Sequence, residues 1–235
     1  MTQEIKIINF GTIKGYLVKT DTGYILIDTG HPSKRISLEK ELKNAGCTPG
    51  NLKLVILTHG DIDHSGNAAY LREKFGAKIV MHQDDLIMVE YGAMSWNRKA
   101  KSDKISIIFK IMPLISFFVK PNKLDKFKPD LTVNEGYDLS TYGFDAEVLH
   151  IPGHSKGSIG ILTTSGKLFC GDLLYNMGMG LSFTPYTDDL ADFNTSVEKL
   201  KKLNIKTVYP GHGKPFPLEK FLKNHDKVKV NDYVD

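Results

Sequence analysis

The stretch Thr58–His64, with the sequence THGDIDH, constrains this chain more than any other. It follows an apolar, strand-like run, Leu52–Leu57, and offers four potential metal ligands within six residues: His59, Asp61, Asp63 and His64. Carboxylates and imidazoles that converge at the end of a strand repel or desolvate one another unless a cation compensates them. The stretch therefore predicts a metal site.

Three later fragments share one form, in which an apolar run and a glycine accompany a single potential ligand. They are 151–154 (IPGH), 169–172 (FCGD) and 209–213 (YPGHG), and they add His154, Asp172 and His212. Glycine lets the backbone turn and expose the neighbouring side chain at a strand end. The fragments weigh against the alternative, a solvated polar loop whose His and Asp residues only decorate a turn. Seven such side chains are enough for two divalent metal ions.

This ordered set, preceded by 26–30 (LIDTG), resembles the metallo-β-lactamase fold superfamily from about Ile5 to His212. The resemblance implies an α/β fold, a four-layer αβ/βα sandwich with the metal site at one edge between two sheets. It also implies roles for the ligands. Residues matching His59, Asp61 and His154 hold the first metal, those matching Asp63, His64 and His212 hold the second, and the one matching Asp172 bridges both.

Asp61 departs from the commonest form of the superfamily motif, which has a histidine at that position. Two divalent ions carry four positive charges against three negative ones from Asp61, Asp63 and Asp172, and a histidine would leave the centre one charge more positive. Zinc is the first expectation, and the harder oxygen ligand keeps iron and manganese open. An alternative is that Asp61 weakens the first site, so that only one ion is held tightly.

The bulk composition is that of one globular domain over residues 1–235, with 41% hydrophobic and 25% charged residues. A net charge of +4 is too small to indicate nucleic-acid binding. The two cysteines, Cys47 and Cys170, predict neither a disulfide framework nor a thiolate zinc site. Residues 1–9 lack the apolar core of a signal peptide, which predicts a cytoplasmic location.

Short strands and helices alternate along the chain, which predicts a layered α/β domain. Strands are expected at 5–8, 15–19, 24–28, 52–57, 77–81, 146–151, 158–162, 167–170 and 207–209. Helices are expected at 33–45, at 65–75 and along the apolar stripe from Leu190 to Leu203. Residues 225–235 are expected to form a polar C-terminal tail.

Residues 84–130 interrupt this alternation. Between Arg98 and Lys128 nine basic residues stand against two acidic ones, and the apolar middle, 105–119, is interrupted by Lys110 and Pro113. It is too short for a membrane span. We favour a helical cap or lid whose apolar underside forms a substrate pocket. The alternatives are an amphipathic element through 98–128 that contacts an anionic membrane or a partner chain, and a helix pair that only completes the core.

Two residues are candidates for direct roles in catalysis. Asp63 is a candidate proton acceptor from the attacking water, and Tyr175 lies three residues after Asp172, the spacing at which lactone-hydrolysing superfamily members place an oxyanion-stabilising tyrosine. A core or rim position is the alternative for Tyr175. Asp28 is expected to orient the ligand loop through hydrogen bonds. The histidines without a motif partner are expected to be ordinary loop or surface residues: His31, His82, His150 and His225.

Hydrolysis of an ester-like bond in a small molecule is the leading functional prediction, with thioesters, lactones and phosphoesters open. The alternative is a stand-alone di-iron protein that reacts with oxygen or nitric oxide, because flavodiiron reductases resemble this pattern with a carboxylate where Asp61 stands. A third option is a metal-bearing scaffold whose basic insertion binds a partner. The sequence indicates no oligomeric state.

Overall fold

Two β-sheets pack face to face at the centre of the molecule, and helices cover their outer faces. The computed structural model describes residues 3–99, 104–105, 124–177 and 186–223. Within these residues the architecture is the predicted four-layer αβ/βα sandwich.

The first sheet has six strands. In order across the sheet they are β1 (Ile5–Asn9), β2 (Lys14–Thr20), β3 (Gly23–Ile27), β4 (Leu52–Ile56), β5 (Lys78–Met81) and β7 (Leu131–Thr132). The first three pair antiparallel, and β3, β4, β5 and β7 pair parallel. The parallel part is buried on both faces, as expected for strands that read as continuous apolar runs.

The second sheet has five strands. In order they are β8 (Ala146–His150), β9 (Ile159–Thr163), β10 (Lys167–Gly171), β12 (Thr207–Pro210) and β13 (Phe216–Pro217). β10 and β12 are parallel, and the other neighbours are antiparallel. A separate two-stranded ribbon joins β6 (Lys104–Ile105) to β11 (Tyr186–Thr187).

Five α-helices lie entirely within the described residues: α1 (Arg35–Asn44), α2 (Ile62–Ser65), α3 (Ala68–Phe75), α4 (Leu86–Tyr91) and α5 (Leu190–Lys201). Residues 218–223 are helical as well. Short 3-10 turns precede or separate them at Pro32–Lys34, Gln83–Asp85 and Ser140–Tyr142. The amphipathic helix α5 begins where the Asp189 carboxylate accepts hydrogen bonds from two backbone amides, those of Ala191 and Asp192.

Three apolar clusters hold the layers together. Alternation along β3 shows the principle, because Leu26 packs with α1 and α3 whereas Ile25 and Ile27 pack between the sheets. On the far side, Phe193 and Val197 of α5 pack against the outer face of the second sheet. The two sheets are thus docked by a continuous apolar layer, which fixes the relative position of loops from both halves of the chain.

The nine predicted strands are present with boundaries shifted by at most one residue, but the helix expected at 65–75 is divided. It starts earlier, at Ile62, and breaks at Gly66 and Asn67 before α3. At Gly66 the backbone passes so close to Pro32 that a Cβ would collide with the proline ring. The break places His64 in the short helix α2, separate from α3.

The predicted cap over 84–130 is only partly within the described residues. Its first part forms a 3-10 turn and α4, a turn follows up to Lys99, and Lys104–Ile105 form β6. The apolar middle from residue 106 onward lies outside the described residues, as does the tail at 225–235. The cap and the peripheral membrane contact therefore stay predictions.

Candidate metal centre

The seven predicted ligands come together at one end of the sandwich, although they lie on four separate segments. The segment after β4 carries His59 and Asp61 on a loop and Asp63 and His64 in α2, and the loops after β8, β10 and β12 carry His154, Asp172 and His212. Strands of both sheets end at the same edge, so each half of the chain contributes donors.

A first donor group consists of His59, His154 and Asp172, whose ligand atoms all lie within 4.8 Å of one another. Asp61 adjoins this group, because its Oδ2 lies 3.0 Å from Nε2 of His154 and 3.6 Å from Nε2 of His59. Two imidazoles and two carboxylates thus surround one position.

A second donor group consists of Asp63, His64 and His212, again within 4.8 Å. Nε2 of His212 lies 3.4 Å from Oδ2 of Asp63 and 3.4 Å from Nε2 of His64. Two ring nitrogens so close together need a shared proton or a shared cation, since two lone pairs repel.

Asp172 belongs to the first group and also contacts the second. Its Oδ1 is 3.2 Å from Nε2 of His64, and its Oδ2 is 3.4 Å from Nε2 of His212 and 3.9 Å from Nε2 of His154. A single carboxylate therefore contacts donors of both groups, the position expected for a residue that bridges two ions.

Hydrogen bonds on the far side of the rings fix which nitrogen of each histidine points inward. The Thr58 hydroxyl donates to Asp28, so its oxygen accepts from Nδ1 of His59 at 2.9 Å. Nδ1 of His64 donates to Asp28 and Nδ1 of His154 donates to the Tyr186 carbonyl. In each of these three rings Nε2 therefore points into the site as the potential metal ligand. Metal-binding imidazoles are commonly oriented by such a hydrogen bond from the other ring nitrogen.

The donor set fits divalent cations of the zinc, iron or manganese type. Within the described residues, three buried polar side-chain atoms lack a hydrogen bond, and two of them, Nε2 of His59 and Oδ1 of Asp172, belong to the donor groups. Buried polar groups are otherwise nearly always paired, so these atoms indicate a partner of another kind. Gly211 gives room for it, because a Cβ there would collide with Oδ1 of Asp172 and lie 2.7 Å from Cε1 of His64.

Without a cation, protons balance the negative charge of the site. Burial alone would lower the pKa of His64, but Asp172, Asp63 and Asp28 raise it well above its usual range. The pKa of His212 likewise rises to about 9 despite burial, chiefly because of Asp172. Conversely, burial opposes ionisation of Asp172, but His212 and His64 hold its pKa well below the usual range. The imidazoles of His64 and His212 therefore carry positive charge where a cation would bind.

Asp28 has the orienting role expected from the sequence. Its carboxylate, 1% exposed, accepts hydrogen bonds from the Thr58 amide at 2.9 Å, from the Thr58 hydroxyl at 2.8 Å and from Nδ1 of His64 at 2.9 Å. Its backbone is in the left-handed region, with φ of 59°. Asp tolerates this conformation better than most residues, which explains how the turn before Gly30 brings the carboxylate under the ligand loop.

Asp85 is a second buried carboxylate at the centre, and sequence reasoning missed it. It is 1% exposed, and it accepts hydrogen bonds from the Gly60 amide at 3.0 Å, the Ser155 hydroxyl at 2.7 Å and the Gly157 amide at 2.9 Å. Gly60 lies between two predicted ligands, and Ser155 follows another. Asp85 therefore joins the loops of the two halves, and its place beside Asp84 at the start of the insertion gave no signal of this.

Arg98 is one of the basic residues of the insertion, and its sequence context does not reveal that it is buried beside Asp61. Its Nη2 lies 2.8 Å from Oδ1 of Asp61, and its side chain is only 11% exposed. Burial alone would raise the pKa of Asp61, but Arg98 and hydrogen bonds with His154 and His59 hold it well below the usual range. The unusual ligand position thus has a cation already paired with it.

Tyr175 is buried, at 3% exposure, and its hydroxyl donates a short hydrogen bond to Oδ2 of Asp172. Its ring stacks on that of His212 with the centroids 4.8 Å apart. These contacts place the phenol beside the candidate bridging carboxylate. The role as an oxyanion stabiliser stays a prediction.

The remaining described histidines do not belong to these two groups. His82 and His150 stack at a centroid separation of 4.2 Å and an interplanar angle of 7°, close to Asp84. The in-plane lone pairs of parallel rings do not converge on one point, which makes this third set of side chains a poor cation site as it stands. His31 caps the turn that begins at Pro32, and His225 lies outside the described residues.

Comparison with known proteins identifies the family. The family model of the metallo-beta-lactamase superfamily matches residues 9–212. The chain belongs to the metallo-β-lactamase superfamily. Within the superfamily it is similar to hydroxyacylglutathione hydrolase GloC of Haemophilus influenzae, with 34% identity over 167 residues that cover 69% of each protein.

Two further similar proteins extend the comparison. Acyl-coenzyme A thioesterase MBLAC2 of Gallus gallus is 25% identical over 179 residues, which cover 72% of this chain and 60% of that protein. The solved structure of TTHA1623 in a di-iron-bound form is 26% identical, with a TM-score of 0.66 over 94% of this chain and 97% of that one.

These relatives make the chain a metal-dependent hydrolase of the metallo-β-lactamase superfamily and confirm the predicted fold. None of the helices in the described ranges is long and apolar enough to cross a membrane. The predicted cytoplasmic location is not tested by these findings.

Proposed function

We propose that this metallo-β-lactamase superfamily member holds two divalent cations and hydrolyses the thioester bond of a small acyl-bearing molecule. The observation that carries the proposal is that Asp172 belongs to the first donor group and also contacts the second, with buried atoms of Asp172 and His59 left without a hydrogen bond. One carboxylate in contact with both groups supports a binuclear centre over a single ion.

In this proposal His59, Asp61 and His154 hold the first cation, Asp63, His64 and His212 hold the second, and Asp172 contacts both. Zinc is the first choice because of the four imidazoles, with iron or manganese as alternatives. Such a pair of cations supplies a water nucleophile near neutral pH and polarises the carbonyl to be attacked.

The protein groups around the centre have their own tasks. Asp28, through Thr58 and directly, holds His59 and His64 with Nε2 inward. Asp63 is 33% exposed at its side chain, more than the other carboxylates of the centre, so it is the best placed of them to receive a proton from incoming water. Tyr175 holds Oδ2 of Asp172 in position.

The thioester is favoured over the lactone and the phosphoester by the chemistry of the relatives. The names of GloC and MBLAC2 state an acylated glutathione and an acyl-coenzyme A, and both compounds carry thioesters. A predicted apolar cap beside the centre agrees with an acyl group as part of the substrate.

The test starts with elemental analysis of protein purified without chelator, where we expect about two transition-metal ions per chain. A panel of an acyl-glutathione, an acyl-coenzyme A, a lactone and an aryl phosphodiester then gives the bond preference. We expect faster turnover of the thioesters, and a loss of at least about 100-fold in His59→Ala but not in Glu147→Ala, an exposed strand position. Metal-free protein, or turnover that survives His59→Ala, contradicts the proposal.

A di-iron protein that reacts with oxygen or nitric oxide is the second candidate. Asp61 favours it, because a carboxylate beside His59 and His154 makes the first group richer in oxygen donors. The similar structure of TTHA1623 contains two irons. Iron content together with rapid oxygen consumption by the reduced protein, and no thioester turnover, would select this candidate.

A further inference from the structure

The two carboxylate oxygens of Asp61 have different partners. Oδ1 accepts a hydrogen bond from Nη2 of Arg98 at 2.8 Å, while Oδ2 lies 3.0 Å from Nε2 of His154. The guanidinium thus occupies one side of the carboxylate and leaves a single oxygen directed at the first donor group. An imidazole at position 61 would likewise offer one atom.

Arg98 is held in this place by its own surroundings. Its guanidinium carbon lies 5.1 Å from the ring centroid of Tyr186, and the backbone amide of the next residue, Lys99, donates to the carboxylate of Asp188 at 3.0 Å. The carbonyl of Tyr186 in turn accepts from Nδ1 of His154. Arg98 and His154 therefore rest on the same tyrosine, which ties the arginine to the donor group.

The contact between Arg98 and Asp61 also affects the net charge of the centre. A histidine ligand is neutral, whereas Asp61 adds one negative charge to a centre that already includes Asp63 and Asp172. A permanently charged guanidinium, 11% exposed and in direct contact, cancels that charge locally. Asp61 and Arg98 together present one inward donor atom and no net charge, which are the properties of a neutral imidazole.

We propose that Asp61 and Arg98 form one functional unit that replaces a histidine ligand in the first donor group, with Arg98 as a positioning residue that orients Asp61 and sets the charge of the centre. This inference rests on the proposed binuclear centre. It implies that the two residues are coupled, so that neither can be exchanged alone without loss.

The experiment is a double-mutant cycle on zinc affinity, with Asp61→His, Arg98→Met and the double variant Asp61→His/Arg98→Met. Dissociation constants come from competition with a chromophoric chelator, and circular dichroism reports the fold of each protein. In Asp61→His the arginine loses its carboxylate and stays buried beside the cation, so zinc affinity of the first group should fall at least about 10-fold. In the double variant the repelling charge is gone, and affinity should return to within about 3-fold of the parent protein.

Lys99 provides the matched control, because it is the neighbouring basic residue and its Nζ pairs with Asp189 at 3.0 Å. Asp61→His/Lys99→Met should stay as weak as Asp61→His. If Asp61→His fails to fold, a folded double variant that binds zinc still supports the unit, and an unfolded one overturns it. Asp61→His that binds as tightly as the parent, or a double variant no better than the single one, also overturns it.

The outcomes separate this inference from the proposed function. If the parent protein binds two cations and cleaves thioesters but the mutant cycle is additive, only the proposed Asp61–Arg98 unit is excluded. If the parent protein binds two cations but does not cleave thioesters, the proposed substrate is excluded. The zinc affinities of the mutant cycle can still be measured and still test the unit.

Discussion

The hydroxyl of Ser155 donates a 2.7 Å hydrogen bond to Oδ2 of Asp85, a residue 70 positions earlier in the chain. The same carboxylate accepts from the Gly60 amide in the first ligand loop. Because the flanking residues His59 and His154 belong to the same donor group, this one carboxylate sets the distance between the two loops that carry them.

We predict that Asp85→Asn loosens the first donor group. The amide offers only one acceptor oxygen where the carboxylate uses two, so a donor is left unpaired and the free energy of unfolding should fall by about 1–3 kcal/mol. Zinc affinity should fall by about 10- to 100-fold, as for other groups that orient metal ligands. Chemical denaturation and chelator competition measure the two effects, with the exposed Asp145→Asn as control. A loss of stability without any loss of affinity would show that Asp85 only supports the fold.

Gly211→Ala should abolish tight metal binding. The added methyl group would collide with Oδ1 of Asp172 and approach Cε1 of His64 to 2.7 Å, so donors of both groups must move. Gly50→Ala is the control, because its φ of 90° strains an alanine but no atom lies within 4 Å of the added carbon. Elemental analysis should show metal in the control and little in Gly211→Ala. Equal metal content would mean that the centre has more room than the structure indicates.

Tyr175→Phe should lower turnover while metal stays bound. The phenol donates a hydrogen bond to Oδ2 of Asp172, but it is not a metal ligand of either group. Its loss therefore removes a hydrogen bond from the carboxylate without removing a ligand. We expect a fall in kcat of about 10-fold or more at unchanged metal content. Unchanged turnover on a verified substrate would exclude the phenol from the mechanism.

Stability of the metal-free protein should decrease as the pH rises from about 6.5 to about 9. The pKa of His212 in the folded protein is about 9, above its usual value, because of Asp172 and Asp63. The folded state therefore binds more protons than the unfolded state in this window, and the stabilisation is complete below it and lost as the pH passes through it. The expected loss is about 3 kcal/mol by denaturation. In His212→Gln the slope should become shallower but stay in the same direction, because the pKa of His64 is raised too. An unchanged slope would assign the whole effect to another group.

Most of the fold was accessible from the sequence because its signals are local. Apolar runs that end in glycine and a polar residue mark strands and their loops, and the order of His59, Asp172 and His212 carries the family resemblance. The structure confirms the layers and brings the seven predicted ligands together.

The supporting residues could not be found in this way. Asp85 and Arg98 have no neighbours in the sequence that reveal their partners, which are 25 and 37 residues away at Gly60 and Asp61. Arg98 even carried a misleading signal, since nearby lysines suggested a solvated basic face. Long-range pairs of this kind depend on how loops meet after the sheets have docked, and a pattern of residue types along the chain does not encode that meeting.

Each donor group combines side chains from segments that follow strands of both sheets. A bound cation would therefore cross-link the two halves of the molecule. His59 and His64 come from the first half, and His154 and His212 come from the second. Neither half alone offers a full set of metal ligands. Removal of the cations by a chelator should therefore destabilise the contact between the two sheets as well as stop catalysis. The apolar layer between the sheets docks the two halves, and bound cations would add a second, ionic link between them.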